Sequence, residues 1–176
     1  MLPPRPGAAA AVPGPARTHG AEHAEDVPAA SRTADISWAN AHGGAGATTF
    51  AAALGGTDIG HAWPDVGRGE PGRTLLLART HDRGLRAAAQ ALDALRTGRH
   101  PPGVHLVAVV LVADAPGRLP LELFRRVRVL RSAARTISVP WISQWRVGEP
   151  VAKAPRAIVE LAALIGPAGP TQRDGQ

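Results

Sequence analysis

The chain has 176 residues, a length that predicts about one domain with tails. It contains no cysteine, which excludes disulfides and thiolate zinc sites, and no run approaches the ~20 apolar residues that span a membrane. The formal charge of +6 comes almost entirely from arginine, with Lys153 as the only lysine. This bias is typical of a GC-rich bacterial genome and does not by itself indicate nucleic-acid binding. We therefore expect a cytoplasmic protein without a transmembrane segment.

Proline, alanine and glycine dominate both ends of the chain, where no hydrophobic period is present. Residues 1–34 and 167–176 are therefore predicted to be disordered tails. The residues between them, 35–166, are predicted to form one domain.

A predicted short strand, residues 36–40, leads into a glycine-rich segment and then into an alanine-rich helix, residues 48–54. The segment has the sequence His-Gly-Gly-Ala-Gly-Ala-Thr-Thr over residues 42–49. Its glycines allow backbone N–H groups to line a concave turn, and the start of the helix favours an anion. A phosphate-binding loop has a lysine directly before such threonines, but here Ala47 occupies that place. The alternative is a tight turn that serves only to pack strand against helix.

The later elements alternate between apolar and amphipathic segments. The glycine-rich residues 55–72 are predicted to form a loop. Further strands are predicted at residues 73–78, 104–113 and 138–143. Further helices are predicted from Asp82, as N-cap, to about Thr97, over residues 120–134, and from Pro155 onward. Continuous apolar strands between such helices are typical of a parallel sheet covered on both faces. The predicted fold is an α/β three-layer sandwich, P-loop- or Rossmann-like, with a mostly parallel sheet and the first strand near its centre.

The glycine segment resembles the loop of the ParA/MinD class of deviant P-loop ATPases, whose sequence is Lys-Gly-Gly-x-Gly-Lys-Thr-Thr. His42 and Ala47 stand where that class has its two lysines. Replacement of the second lysine is also typical of the CpaE/TadZ branch, which is linked to pilus assembly, secretion and positioning at a septum or pole. Residues 74–88, 107–114 and 139–143 resemble later parts of the class, so the resemblance covers most of residues 36–165.

The resemblance implies a site for ATP and Mg²⁺, with Thr48 as the metal ligand only if a nucleotide binds. The nucleotide-binding residues would be Gly43, Gly44, Gly46, Ala47, Thr48, Thr49 and Asp114. No catalytic residue is implied, and ATPase activity is expected to be lost, because phosphoryl transfer needs cations beside the transferred group. Arg79, Arg118 or a partner's arginine are substitutes that the sequence does not choose between.

The class also has two acidic segments between the loop helix and the late strands. Only residues 55–72 span that interval here, so the resemblance implies that a β–α–β portion is deleted. A competing alignment makes residues 109–114 the Walker B strand, with Asp114 beginning a switch-like Asp-x-x-Gly. The histidines show no ligand spacing typical of a metal site.

Three functions stay open. The first is a degenerate, non-hydrolysing interaction or positioning module in secretion, pilus, septum or conjugation machinery, whose partner is a ParA-type ATPase or a secretion or pilus component. The second is a weak ATPase or nucleotide-dependent switch. The third, which is not favoured, is a DNA-associated protein with a basic helix face formed by Arg125, Arg128, Arg131 and Arg135. The alternative for that face is an ordinary solvated surface.

Overall fold

The computed structural model describes residues 35–146, 149 and 153–166. The tails predicted for residues 1–34 and 167–176 lie outside them. The strands within these ranges are β1 (Ser37–Asn40), β2 (Thr57–Asp58), β3 (Arg73–Arg79), β4 (His105–Val112) and β5 (Thr136–Val139). The α-helices are α1 (Ala47–Leu54), α2 (Asp82–Arg96), α3 (Leu121–Ala133) and α4 (Arg156–Ile165), and short 3-10 helices occupy Val66–Arg68 and Ser143–Arg146.

All five strands form one parallel sheet in the order β2-β1-β3-β4-β5. This arrangement confirms the predicted α/β class and the parallel sheet. The first strand lies near the centre of the sheet, as predicted: β3 is the central strand, and β1 lies between it and the short edge strand β2.

The prediction of a loop over residues 55–72 is incomplete, because this range contains β2, which pairs with β1. The last strand lies earlier than predicted and ends at Val139. Pro140 follows it and has no N–H with which to continue the ladder. At the start of α2 the N-cap is His81 and not Asp82, since the His81 side chain accepts a hydrogen bond from the Gly84 N–H.

Helices cover both faces of the sheet. Leu75 and Leu77 of β3 join a buried cluster with residues of α1 and α4, whereas Leu76 and Ala78 join a second cluster with residues of α2 and α3. This alternation follows from the two-residue period of a strand, and burial on both faces explains why residues 75–78 of β3 are all apolar. The molecule is therefore a three-layer sandwich. No helix among the described residues is long and apolar enough to cross a membrane.

The strand order places a topological switch point between β1 and β3. The chain leaves β1 toward α1 on one face of the sheet and leaves β3 toward α2 on the other. In open α/β sheets, ligands bind in the crevice that such diverging loops leave at the carboxyl ends of the strands. The glycine segment follows β1 and therefore lies at this crevice.

Candidate functional site

The glycine segment forms an open turn whose backbone only glycine adopts easily. Gly44 and Gly46 have positive φ angles of 76° and 118°. A side chain added at Gly43 or Gly44 would meet nothing within 4 Å, so this part of the turn faces open space. The Asn40 side-chain oxygen accepts a hydrogen bond of 3.0 Å from the Ala47 N–H and joins the end of β1 to the start of α1.

Several N–H groups of the turn make no hydrogen bond within the described residues. They belong to Gly44, Gly46, Thr48 and Thr49. Free N–H groups at the first turn of a helix are donors for which an anion is a suitable acceptor. The turn therefore has backbone donors without acceptors, and the charges around them determine how strongly they attract an anion.

Ala47 contributes no side chain to the open side of the turn. It is 1% exposed and packs in the apolar cluster that contains Trp38 and Phe50. The position at which the resembled class has its second lysine thus directs its Cβ into the core. A lysine in this orientation would bury its ammonium group among apolar side chains without a partner, which costs stability.

His42, at the position of the first lysine, fills the crevice between the turn and the start of α2. Its Nε2 accepts a hydrogen bond of 3.0 Å from the Arg79 N–H, and its Nδ1 lies 2.9 Å from the Gly43 carbonyl oxygen. The ring lies 4.9 Å from the ring of His81, centroid to centroid. Because one nitrogen accepts while the other faces a carbonyl, this arrangement requires a neutral imidazole.

The surroundings of His42 disfavour its charged form. Burial lowers the pKa of the imidazole below its ordinary value, and although the contact with Gly43 raises it, the charges of His81, Arg79 and His61 lower it further. The side chain that replaces the lysine is therefore held as an uncharged group.

This pKa shift predicts that acid destabilises the glycine turn. The unfolded chain binds the His42 proton more readily than the folded one, so the stability that this group contributes is complete above about pH 6.5 and is lost as the pH falls through the lowered folded value. Unfolding midpoints in urea from about pH 8 to about pH 5 should fall more steeply for the wild type than for His42→Gln. Parallel slopes for the two proteins would contradict the prediction.

Thr48 is paired with a carboxylate that the sequence did not reveal. Its hydroxyl donates a 2.6 Å hydrogen bond to Asp58 Oδ2, and the Gly60 N–H donates to Asp58 Oδ1 at 2.9 Å. Asp58 is the last residue of β2, which brings it beside the start of α1. It lies in the interval where the resembled class has its acidic segments. A strand of two residues shows no apolar run in the sequence. The acidic side chain of Asp58 was therefore the only signal that could have pointed to this contact.

The hydroxyl of Thr48 and the carboxylate of Asp58 fit Mg²⁺, which takes oxygen ligands from one or two protein groups and the rest from phosphates and water. The described residues contain no group of three or more histidine, cysteine, aspartate or glutamate side chains that could hold a metal ion. A magnesium ion here would therefore depend on phosphate oxygens for much of its coordination.

A small cavity, the loop cavity, connects the turn with the neighbouring strand ends. It has a volume of about 190 Å³ and is lined by Gly46 and Thr49 from the turn, Arg79 from β3, and Trp141 and Trp145. Arg79 also donates from Nη1 to the Ala113 carbonyl at 3.5 Å. The structure thus selects Arg79, rather than Arg118, as the cation that shares a cavity with the turn.

Asp114 is not brought into the loop cavity. Its N–H donates to Thr80 Oγ1 at 3.1 Å, its side chain is exposed, and it lines a second cavity that also includes Arg118. The sequence-predicted residues therefore divide into a turn around residues 43–49 and a separate aspartate.

The arginines of the predicted basic face are exposed, although Arg135 lies just beyond the end of α3, and several of them have partners. Arg125 pairs with Glu122 at 2.8 Å, and Arg135 pairs with Glu160 at 3.4 Å. Arg131 donates to Ser138 Oγ at 3.0 Å, and Arg128 forms no ion pair within the described residues. Exposed pairs contribute little stability, but they reduce the field that this face presents to an anion.

No family profile matches the chain, and no curated protein matches it. The similarity to the ParA/MinD class accordingly rests on the residues themselves.

Proposed function

We propose that this protein is a non-hydrolysing relative of the ParA/MinD-type ATPases and works as an interaction or positioning module. The observation that carries the proposal is His42, a neutral side chain that occupies the switch-point crevice at the position of a family lysine. The Arg79 N–H donates to its Nε2, which holds the ring between the ends of β1 and β3.

The loss of both lysines removes the charges that phosphoryl transfer requires. A hydrogen bond to a charged group contributes about 1.5–3 kcal/mol. Losing one such bond weakens nucleotide binding roughly tenfold to a hundredfold. Hydrolysis suffers more, because its transition state needs these charges in fixed positions.

The open side of the turn is suited to a protein partner. Gly43 and Gly44 are exposed and have no neighbours within 4 Å of an added Cβ, so a partner can approach the backbone closely. The free N–H groups of the turn would then donate to acceptors of the partner. We infer that the partner is an intact ATPase of the same class, since subunits of that class meet across their glycine loops.

Two measurements test this proposal together. Purified protein with ATP and Mg²⁺ should release phosphate no faster than a Thr48→Ala variant. Photo-crosslinking from residue 43 in the native host should capture a protein whose own glycine loop retains its lysines, and Gly43→Trp should abolish capture from a second crosslinker at residue 49, which is exposed at the start of α1.

Gly43 is suited to this substitution because it lacks a positive φ and has open space around it. Gln90→Trp, on the exposed side of α2, is the matched control for an added indole. Phosphate release that Thr48→Ala removes would contradict the loss of hydrolysis. Capture that persists unchanged in a folded Gly43→Trp variant would contradict the proposed binding face.

A nucleotide-dependent switch is the second candidate, favoured by the Thr48–Asp58 pair and by Arg79 in the loop cavity. These groups would supply metal ligands and one cation without a lysine. The distinguishing result is saturable binding of a non-hydrolysable ATP analogue that needs Mg²⁺ and is weakened by Arg79→Gln. An interaction module without a nucleotide shows no such binding.

A further inference from the structure

A larger cavity, the α3 cavity, lies between α3, β5 and the connection at residues 113–120. It has a volume of about 420 Å³, within the range of roughly 300–1,000 Å³ that is typical of small-molecule sites. Its apolar lining comes from Leu111, Leu119, Leu123, Phe124, Val127 and Val139. It shares Ala113 and Pro140 with the loop cavity, but no residue of the glycine turn lines it.

The walls of the α3 cavity also carry a few charged groups. Arg118 and Arg131 contribute guanidinium groups, and Asp114 contributes a carboxylate. None of the three forms an ion pair within the described residues, unlike Arg125 and Arg126, which pair with Glu122 and Asp82. Two cations and one anion that make no ion pair within the described residues therefore line the same cavity.

Arg131 is the better positioned of the two cations. Its Nη2 donates to Ser138 Oγ at 3.0 Å, and both residues line the cavity. This bond holds the guanidinium beside the apolar wall and leaves its other N–H donors available. A guanidinium matches the two oxygens of a carboxylate better than any other side chain does.

We propose that the α3 cavity binds a small organic anion with an apolar body and one carboxylate. The body would displace water from the leucine, valine and phenylalanine side chains, and the carboxylate would lie against Arg131, with Arg118 adding positive charge. The Asp114 carboxylate repels the carboxylate of the ligand and therefore limits how closely the ligand charge approaches residues 114–118. The proposal does not depend on the function of the glycine turn.

Probes that share a hydrocarbon chain and differ in charge test the proposal. Octanoate, octanol and octylammonium are titrated into isotope-labelled full-length protein, and affinities are taken from the shifts of backbone amide signals. Octanoate should bind most tightly and shift the signals of residues that line the α3 cavity. Octylammonium should bind most weakly.

The variants should change octanoate affinity in opposite directions. Arg131→Gln should weaken it roughly three- to tenfold, because a charged hydrogen bond is lost at a partly solvated site. Asp114→Asn should strengthen it roughly twofold, because a repulsive charge is removed. Arg128→Gln removes an equal charge from the same helix at a position that does not line the cavity, so it should leave affinity unchanged.

Ser138→Ala removes the hydrogen bond to Arg131 but keeps the charge of Arg131. It should therefore weaken octanoate binding less than Arg131→Gln does. The proposal is overturned if octanol binds as tightly as octanoate, or if Arg131→Gln and Arg128→Gln have equal effects. Absence of binding by octanoate in the folded wild type also overturns it. The four substituted side chains, those of Asp114, Arg128, Arg131 and Ser138, are all exposed, so the variants should fold.

Discussion

Replacing Trp38 by alanine should lower the free energy of unfolding by about 3–5 kcal/mol, the range for removing a large aromatic side chain from a core. Trp38 lies on β1, two residues before Asn40, and is fully buried. Its ring lies 5.3 Å from that of Phe50 on α1, centroid to centroid, and its indole N–H donates to the Gly55 carbonyl at 2.7 Å. It therefore joins the middle and the C-terminal end of α1 to the strand that precedes the glycine turn.

Urea denaturation measures this loss of stability. The Trp38→Phe variant separates the contribution of the indole N–H from that of the apolar ring. Phenylalanine keeps much of the apolar area but leaves the Gly55 carbonyl without its donor, which should cost about 1–3 kcal/mol. Val129→Ala on α3 is the control, since that side chain is 66% exposed and its loss should change stability by less than about 0.5 kcal/mol. A cost for Trp38→Ala no larger than that of Val129→Ala would refute the assigned role.

The parallel sheet could be predicted because its main strands are buried on both faces. Leu75, Leu76 and Leu77 are all buried, so the segment is apolar without alternation, and β4 has the same character. Helices α2 and α3 could be predicted because each buries a stripe of apolar residues and exposes its polar face, so apolar residues recur with a helical period.

Local patterns could not reveal the partners of the glycine turn. Strand β2 has two residues, Thr57 and Asp58, and is defined only by its pairing with β1. The contact between Thr48 and Asp58 depends on that pairing, since ten residues separate the two along the chain. The resemblance implied that the portion with the acidic segments is deleted from this interval, so it did not point to Asp58.

Local sequence patterns also could not predict the direction of the Ala47 side chain or the position of His42. Both depend on how α1 and α2 approach β1 and β3 in three dimensions. The cap of α2 illustrates the same limit, because aspartate is a more common N-cap than histidine. His81 caps the helix because its ring nitrogen, and not the Asp82 carboxylate, lies 2.9 Å from the Gly84 N–H.

Gly84→Ala should destabilise the protein by about 2–4 kcal/mol, although helix propensity favours alanine over glycine by about 1 kcal/mol. Gly84 lies in the first turn of α2 and is buried. A Cβ built there would contact the Arg79 carbonyl oxygen too closely and would lie 2.9 Å from His42 Nε2. Overpacking against backbone costs about 1–3 kcal/mol, and displacing His42 adds the cost of leaving the Arg79 N–H without its acceptor.

Gly43→Ala is the matched control, because its Cβ would meet nothing within 4 Å and its φ is not positive. Its unfolding midpoint should stay close to that of the wild type. A neutral or stabilising Gly84→Ala would show that α2 can shift without cost and that His42 is not confined.

The link between Gly84 and His42 can be measured separately by a double-mutant cycle. His42→Ala removes the imidazole that the new methyl group would strike, whereas the contact with the Arg79 carbonyl remains. His42→Ala should therefore cost less in the Gly84→Ala background than in the wild type, by about 0.5–3 kcal/mol. Additive effects would mean that the two side chains do not compete for space. Additivity would also mean that α2 does not hold the His42 ring in place beside the Arg79 N–H.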